Sequence, residues 1–278
     1  MRPAMIDLLA LVFAARNVGT AATTTWMSDA GVGNISLPDE LKSARPHMAV
    51  SEAQGWLRAL LHGGRYLEWG SGSTTMLASW LAVERPRLGT HRIPTEITSI
   101  ESDRAFMVRV RGGSRYTRLA EQSGVLTYLH GDIGPTGRWG APIGWLAANT
   151  SLQDARASAY VQAVGEERCC FDFILIDCRF RAACALHALR LIAPGGIILM
   201  HDWWHYGHKY PGVLPWFHIV SAHSKSSRGN AEPRDNVTQD VTAGYLVRLV
   251  PRHHSLRAAR AGSDHYWQAL HNESRSPL

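Results

Sequence analysis

Residues 171–202 read "FDFILIDCRFRAACALHALRLIAPGGIILMHD". Phe173–Ile176 are consecutive apolar residues closed by Asp177, the pattern of a strand covered on both faces. "RAACALHALRLI" follows as a helix. "APGG" turns the chain into a second apolar run that ends at His201 and Asp202. Strand, helix and strand within about 30 residues form a parallel crossover unit, because parallel neighbours cannot be joined by a short turn.

The same alternation extends upstream. "RYLEW" is a strand ending at Glu68, and "STTMLASWLAV" is a helix. "EITSIES" is a strand, "DRAFMVRVRGG" a helix stopped at Gly112 and Gly113, and Val125 to His130 a third strand. "SLQDARASAYVQAV" is the helix before residue 171. "MAVSEAQGWLRALL" reads as an opening helix, with Ser51 as N-cap, Gln54 closing a capping box, and Ala53, Trp56, Leu57, Leu60 and Leu61 on its apolar face. Downstream, "WFHIVSA" and "AGYLVRLV" are strands joined by a polar loop without a helix signal, so they pair as a hairpin and bring an antiparallel strand to or near one edge. The expected fold is α/β: a doubly wound, mostly parallel sheet.

In such sheets ligands bind beyond the carboxyl ends of the strands. There, in order, stand Glu68, Glu101, Asp132, Asp177 and Asp202. Acids are also ordinary turn residues, so each alone says little; the run is what points to a site. After Glu68 comes "WGSGSTT". Gly70 and Gly72 permit a tight turn and close approach of a ligand, and the helix that follows directs its first amides at a negative group. A dinucleotide fingerprint asks for another glycine where Thr75 stands. Glu101 is placed to accept hydrogen bonds from two ribose hydroxyls, and Asp132 from an exocyclic amine.

The order "YLEWGSGSTT", "ITSIESD", "LHGD", "FDFILID" and "LIAPGGIILMHDW" resembles the class I S-adenosylmethionine-dependent methyltransferases over roughly residues 46–250. The resemblance implies a seven-stranded Rossmann-like sheet whose last strand is antiparallel. It implies that Glu68, Gly70, Ser71 and Gly72 cradle the methionine part of S-adenosylmethionine, with Asp177 beside it. It further implies that Glu101 holds the ribose and that Asp132 lies near the adenine. The family often has a third glycine where Thr74 stands. "IDCRFRAACALHAL" is similar to a little-characterised branch in which "IDGRFR" precedes the helix. In the metal-dependent small-molecule O-methyltransferases, which the chain also resembles, acids matching Asp177 and Asp202 bind a divalent cation together with a following Asn. Here Trp203 follows Asp202, so that ligand is missing.

The sulfonium of the cofactor is already a strong electrophile, so catalysis needs in-line positioning and, for a hydroxyl acceptor, a base or a metal. Asp177, Asp202 and His205 are the candidates; His205 either replaces the missing ligand or acts as base. Alternatively, "HDWWHYGHKYPG" is an aromatic lid with surface histidines, its Trp203, Trp204 and Tyr206 shaping an acceptor pocket or packing the core. A small-molecule or glycan acceptor is expected. Two other readings stay open: a nicotinamide-dependent oxidoreductase, and a non-catalytic module that keeps the fold.

The net charge is +6, from 29 basic and 23 acidic residues, but the basic residues are scattered and do not interleave with aromatics as a nucleic-acid site would. Residues 1–45 are expected as a leader and loop, 46–250 as the domain, and 251–278 as a basic tail. Arg2, the apolar stretch Ala4 to Ala15 and the small residues from Gly19 to Ala22 have the layout of a signal peptide, interrupted by Asp7 and too short to span a membrane. The alternatives are an amphipathic helix or a start inside a longer protein. Sequons begin at Asn34, Asn149, Asn236 and Asn272. Leader and sequons together lead to the secretory pathway as the expected compartment. Cys169, Cys170, Cys178 and Cys184 have neither metal nor redox spacing.

Overall fold

Strands buried on both faces need two layers of helix, and the computed structural model of the chain shows both. It describes residues 37–44, 46–88, 93–137, 140–143, 150–203, 210–224 and 244–274. The strands are β1 (Gly64–Trp69), β2 (Pro94–Glu101), β3 (Leu126–His130), β4 (Phe171–Ile176), β5 (Ile192–His201), β6 (Phe217–Ser224) and β7 (Gly244–Pro251). They form one seven-stranded sheet in the order β3-β2-β1-β4-β5-β7-β6. All pairs are parallel except those of β7, which runs antiparallel to both β5 and β6.

The helices are α1 (Val50–Leu60), α2 (Ser73–Leu88), α3 (Arg104–Gly113), α4 (Arg115–Gln122), α5 (Thr150–Val161), α6 (Arg181–Leu191), α7 (His253–Ala261) and α8 (Asp264–Ser274). Period-two alternation divides β1 between two cores. Leu67 and Trp69 join Ile174, Ile176 and the residues of α6 on one face. Tyr66 joins Phe173, Leu175 and the residues of α1 and α2 on the other. The chain winds outward from β1 to β3 and returns to β4 beside β1, so the carboxyl ends of β1 and β4 flank the switch point where such sheets bind ligands.

Several expectations shift. The N-cap of α1 is Ala49 and not Ser51: the Glu52 carboxylate accepts from the Ala49 amide at 2.6 Å, doing from the third helical position what Gln54 was expected to do. Gly112 and Gly113 do end α3, but Ser114 at once caps α4 by accepting from the Tyr116 amide. "APGG" belongs to β5, as an excursion: Phe171 pairs with Ile192 and Phe173 with Ile197, so the loop bulges out of register.

Residues 251–278, expected as a tail, instead carry α7 and α8. α6 is buried on every side, and a helix apolar all round needs cover on the face turned away from the sheet. α7 and α8 supply it. The Tyr266 hydroxyl donates to the Leu186 carbonyl at 3.3 Å, and Arg190 donates to the Ala259 carbonyl at 2.8 Å while lying over the Trp267 ring. Among the described residues no helix is long and apolar enough to cross a membrane. Cys169 and Cys170 are joined to each other before β4, and Cys178 and Cys184 are free and buried.

Candidate functional site

At the end of β1 the backbone turns at Gly70 with φ of +92°, and a Cβ there would lie 2.1 Å from the Asp177 carbonyl oxygen. Only glycine fits that close approach of the two strand ends. Gly72 is the opposite case: a Cβ on it meets nothing within 4 Å, so the loop is open on that side. Ser71, between them, is tied down. Its amide and hydroxyl both donate to Glu101 Oε2, at 3.1 and 2.7 Å. The Tyr128 hydroxyl donates to Ser71 Oγ at 2.6 Å. The other Glu101 oxygen accepts from the amides of Ser102 and Asp103, at 2.7 and 2.8 Å. A carboxylate has about four acceptor positions, and these donors fill them.

Glu68 lies beneath the loop and not in it. It is fully buried. One oxygen accepts from the Tyr66 hydroxyl at 2.8 Å and the other from the Thr75 hydroxyl. Thr75 in turn accepts from the Gly72 amide at 3.1 Å. Burial pushes the Glu68 carboxyl above its ordinary range, against the pull of Thr75 and Tyr66. Glu68 therefore fixes the cradle's shape from below. Thr75, at the place where a dinucleotide fingerprint wants glycine, is the side chain that couples Glu68 to the loop. Asp132 is exposed just past β3 and accepts from the Gly134 amide at 2.8 Å, while the Gly131 amide donates to the Glu101 carbonyl at 2.9 Å and ties the two strand ends together.

Across the switch point a charge network joins three elements. Arg181, in the first turn of α6 and only 5% exposed, donates from one terminal nitrogen to Asp177 Oδ1 at 3.0 Å and to Asp202 Oδ2 at 2.7 Å. His201, the last residue of β5, directs Nδ1 at Asp177 Oδ1 at 3.2 Å and Nε2 at Glu52 Oε2 at 3.7 Å. Asp202 has φ of +60°, a left-handed conformation that Asp tolerates better than most residues. Burial opposes ionisation of Asp177, but His201 and Arg181 outweigh it and hold the carboxyl well below the usual range. Burial likewise opposes a charged His201, and Asp177, Glu52 and Asp202 overcome it, so its pKa is raised to about 10. Tyr210 lies beside Arg181; burial lifts its hydroxyl to about 12 although Arg181 pulls it down.

No protein-family model matches the chain, and no curated protein does. Among solved structures, a methyltransferase-like protein from Silicibacter pomeroyi aligns with 84% of this chain and 98% of its own at 21% identity, with a TM-score of 0.52. The chain has the class I methyltransferase fold. A cofactor-bound protein from MTB aligns with 90% of this chain and 99% of its own at 17% identity and a TM-score of 0.43. A ribosomal protein L11 methylase from Lactobacillus delbrueckii subsp. bulgaricus aligns with 74% and 81% at 12% identity and a TM-score of 0.40.

On this methyltransferase fold the expected residues divide into two groups. Gly70, Ser71, Gly72 and Glu101 form one contiguous cradle, with Glu68 under it and Asp132 at the neighbouring strand end. Asp177 and Asp202 meet around Arg181. His205 lies outside the described residues, as do Trp204, Tyr206 and His208. Trp203 is buried and packs near Tyr210, with ring centroids 6.0 Å apart. Tyr128, Glu52 and Arg181 were not singled out from the sequence. Arg181 gave no helical-spacing signal: Asp177 directly follows β4, and the turn of residues 178–180 separates it from the helix that begins at Arg181. A cavity of about 350 Å³ opens at the opposite end of the sheet, lined by His62, Asp172 and Arg248 among others, away from the strands' carboxyl ends.

Proposed function

We propose that this chain is an S-adenosylmethionine-dependent methyltransferase acting on an oxygen of a small-molecule or glycan acceptor. The observation that carries the proposal is the cradle: a glycine loop open on the Gly72 side and locked to a strand-end carboxylate, at the switch point of a methyltransferase fold. A solved structure that shares the fold is itself described as methyltransferase-like. The oxidoreductase reading is less well supported, since β7 runs antiparallel between β5 and β6, unlike the all-parallel 3-2-1-4-5-6 order of dinucleotide-binding sheets.

When bound, the cofactor supplies a methyl group on a sulfonium. Gly70 and Gly72 let the backbone approach its methionine end, and Glu101 accepts from the ribose hydroxyls. For the ribose to bond, Glu101 has to release a donor it already holds, and the rotatable Ser71 hydroxyl, which Tyr128 also holds, is the one able to turn away. Asp132 receives the adenine amine. Asp177 borders the cradle through Gly70, but with two cationic partners it has little proton affinity. Asp202, which holds Arg181 through one oxygen, and His205 remain as the proposed general bases for a hydroxyl acceptor. The signal-peptide layout of the first residues and the sequons support the secretory pathway as the compartment; Asn272, the sequon residue among those described, is exposed on α8.

Isothermal titration with S-adenosylmethionine tests the cofactor. Wild type should bind, and Glu101→Ala should not. Absence of binding by wild type overturns both cofactor and activity. Transfer of labelled methyl across an acceptor panel, with His205→Ala as comparison, tests the chemistry, and binding without any transfer would support the non-catalytic alternative. Glycosidase-sensitive mobility of protein from its native host tests the compartment.

A further inference from the structure

The oxygens of Asp177 and Asp202 and a ring nitrogen of His201 lie within 4.8 Å of one another, a set that by residue type alone would hold a metal ion. We propose that Arg181 is the resident cation of this site, standing where a divalent metal would bridge Asp177 and Asp202, so that methyl transfer here is metal-independent.

The geometry sets the guanidinium against an ion. One guanidinium nitrogen already contacts an oxygen of each aspartate, at 3.0 and 2.7 Å. A divalent ion such as Mg²⁺ bridging those two oxygens would hold each at about 2.0–2.1 Å, and it cannot share that gap with the guanidinium. The third member of the set is engaged as well: His201 directs Nδ1 at Asp177 Oδ1, at 3.2 Å.

The remaining features fit a built cation site. Arg181 is buried and begins α6 four residues after Asp177, so the helix itself delivers the guanidinium. The left-handed Asp202 brings the second carboxylate onto the same nitrogen. The sequence position after Asp202, where metal-dependent relatives are expected to carry Asn, holds Trp203, which is buried in the core and offers no oxygen. A bridging metal favours acceptors with two adjacent oxygens that complete its coordination shell. A site filled by a guanidinium makes no such demand, so chelating acceptors have no advantage here.

The part of this proposal that concerns transfer rests on the function proposed above. The part that concerns the ion does not, and the test reads the ion. Mn²⁺ is titrated into the full chain, free Mn²⁺ being followed by electron paramagnetic resonance, for wild type, Arg181→Gln, and Arg181→Gln combined with Asp177→Asn. Wild type should show no saturable uptake up to about 1 mM, the weak end of protein sites for hard divalent cations. Arg181→Gln, with its fold checked by circular dichroism, should gain about one site, which the added Asp177→Asn removes. Arg181→Met replaces it if the Gln variant does not fold. Saturable uptake by wild type that Asp177→Asn abolishes overturns the proposal, and so does a folded Arg181→Gln that takes up no ion. If neither variant folds, the wild-type titration decides alone: absence of uptake upholds the filled site, and uptake lost in Asp177→Asn overturns it. Methyl transfer, once an acceptor is known, should be unchanged by chelator.

Discussion

His201→Gln should flatten the dependence of stability on pH above neutrality. His201 is buried between Asp177, 3.2 Å from Nδ1, and Glu52, 3.7 Å from Nε2. Burial disfavours its charge, but the carboxylates prevail and raise its pKa from 6.5 to about 10. A raised pKa stabilises the fold fully below the unfolded value, and that contribution is lost as pH climbs through the folded one. Between the two values the folded state holds one more proton than the unfolded state, so stability falls by about 1.4 kcal/mol per pH unit. From pH 7.5 to 9.0 the wild type should therefore lose about 2 kcal/mol through this residue. Glutamine has no proton to lose, and the drop should vanish. Other groups titrate in both proteins, so the difference between the two curves isolates His201. Urea unfolding at fixed ionic strength measures it, and about 2 kcal/mol moves the midpoint by roughly 0.5–1 M for a chain of this size. The variant should also be less stable wherever wild type carries the imidazolium, because Glu52 is left buried without its cation, at a cost of about 3 kcal/mol. That offset alone would be a structural effect. Parallel curves for the two proteins would refute the charged imidazole.

Gly70→Ala should cost at least about 2 kcal/mol and abolish cofactor binding, since its Cβ would meet the Asp177 carbonyl at 2.1 Å in a backbone conformation that side chains rarely adopt; calorimetric unfolding and titration both near wild type would count against the turn. Ser71→Ala removes the hydroxyl that occupies Glu101, so it should bind S-adenosylmethionine within about threefold of wild type or more tightly, whereas Glu101→Gln should weaken binding about 10- to 100-fold through the charge-assisted hydrogen bond that the freed acceptor position makes. A loss for Ser71→Ala as large as for Glu101→Gln would mean that the hydroxyl itself holds the ligand. Tyr266→Ala uncovers α6 and should cost about 3–5 kcal/mol in urea unfolding; a change below about 1 kcal/mol would show that α8 is dispensable.

The sheet was legible because its central strands are apolar on both faces and each is followed by a helical pattern. Phe173 to Ile176 and Ile197 to Met200 cannot be anything but interior once a helix of "RAACALHALRLI" separates them. The polar loop between "WFHIVSA" and "AGYLVRLV" carried the antiparallel pairing for the same reason, since no crossover helix is encoded there. α7 and α8 were missed although their cause is in the sequence. α6 is rich in Ala and Leu on every side and buried all round, which requires a second covering layer, and Tyr266 and Leu270 help to provide it. Their arginines read as a solvated basic tail instead. Arg190 shows why charge was a poor guide: its guanidinium lies over the rings of Tyr266 and Trp267, joining the layers.

At the site, position along the strands was readable and occupancy was not. Glu101 was found because a carboxylate at the second strand end has a chemical use. That its acceptor positions are filled by Ser71, Ser102 and Asp103 depends on backbone amides that a sequence does not place. Glu68 is expected in the cradle, and the parity of β1 turns it to the face of Tyr66, under the loop, where Thr75 links it to the Gly72 amide. Asp177 and Asp202 raise the same issue more sharply. Two acids at adjacent strand ends look like a metal site for as long as Arg181 is counted as one more surface cation. Its contact with Asp177 is made across the turn between β4 and α6, whose path the sequence does not draw. Contact with Asp202 needs, in addition, the left-handed turn after β5, which nothing in "HDW" announces. The left-handed Asp202 is where the two carboxylates come to share one guanidinium nitrogen, and that backbone conformation is the part of the site the sequence does not write.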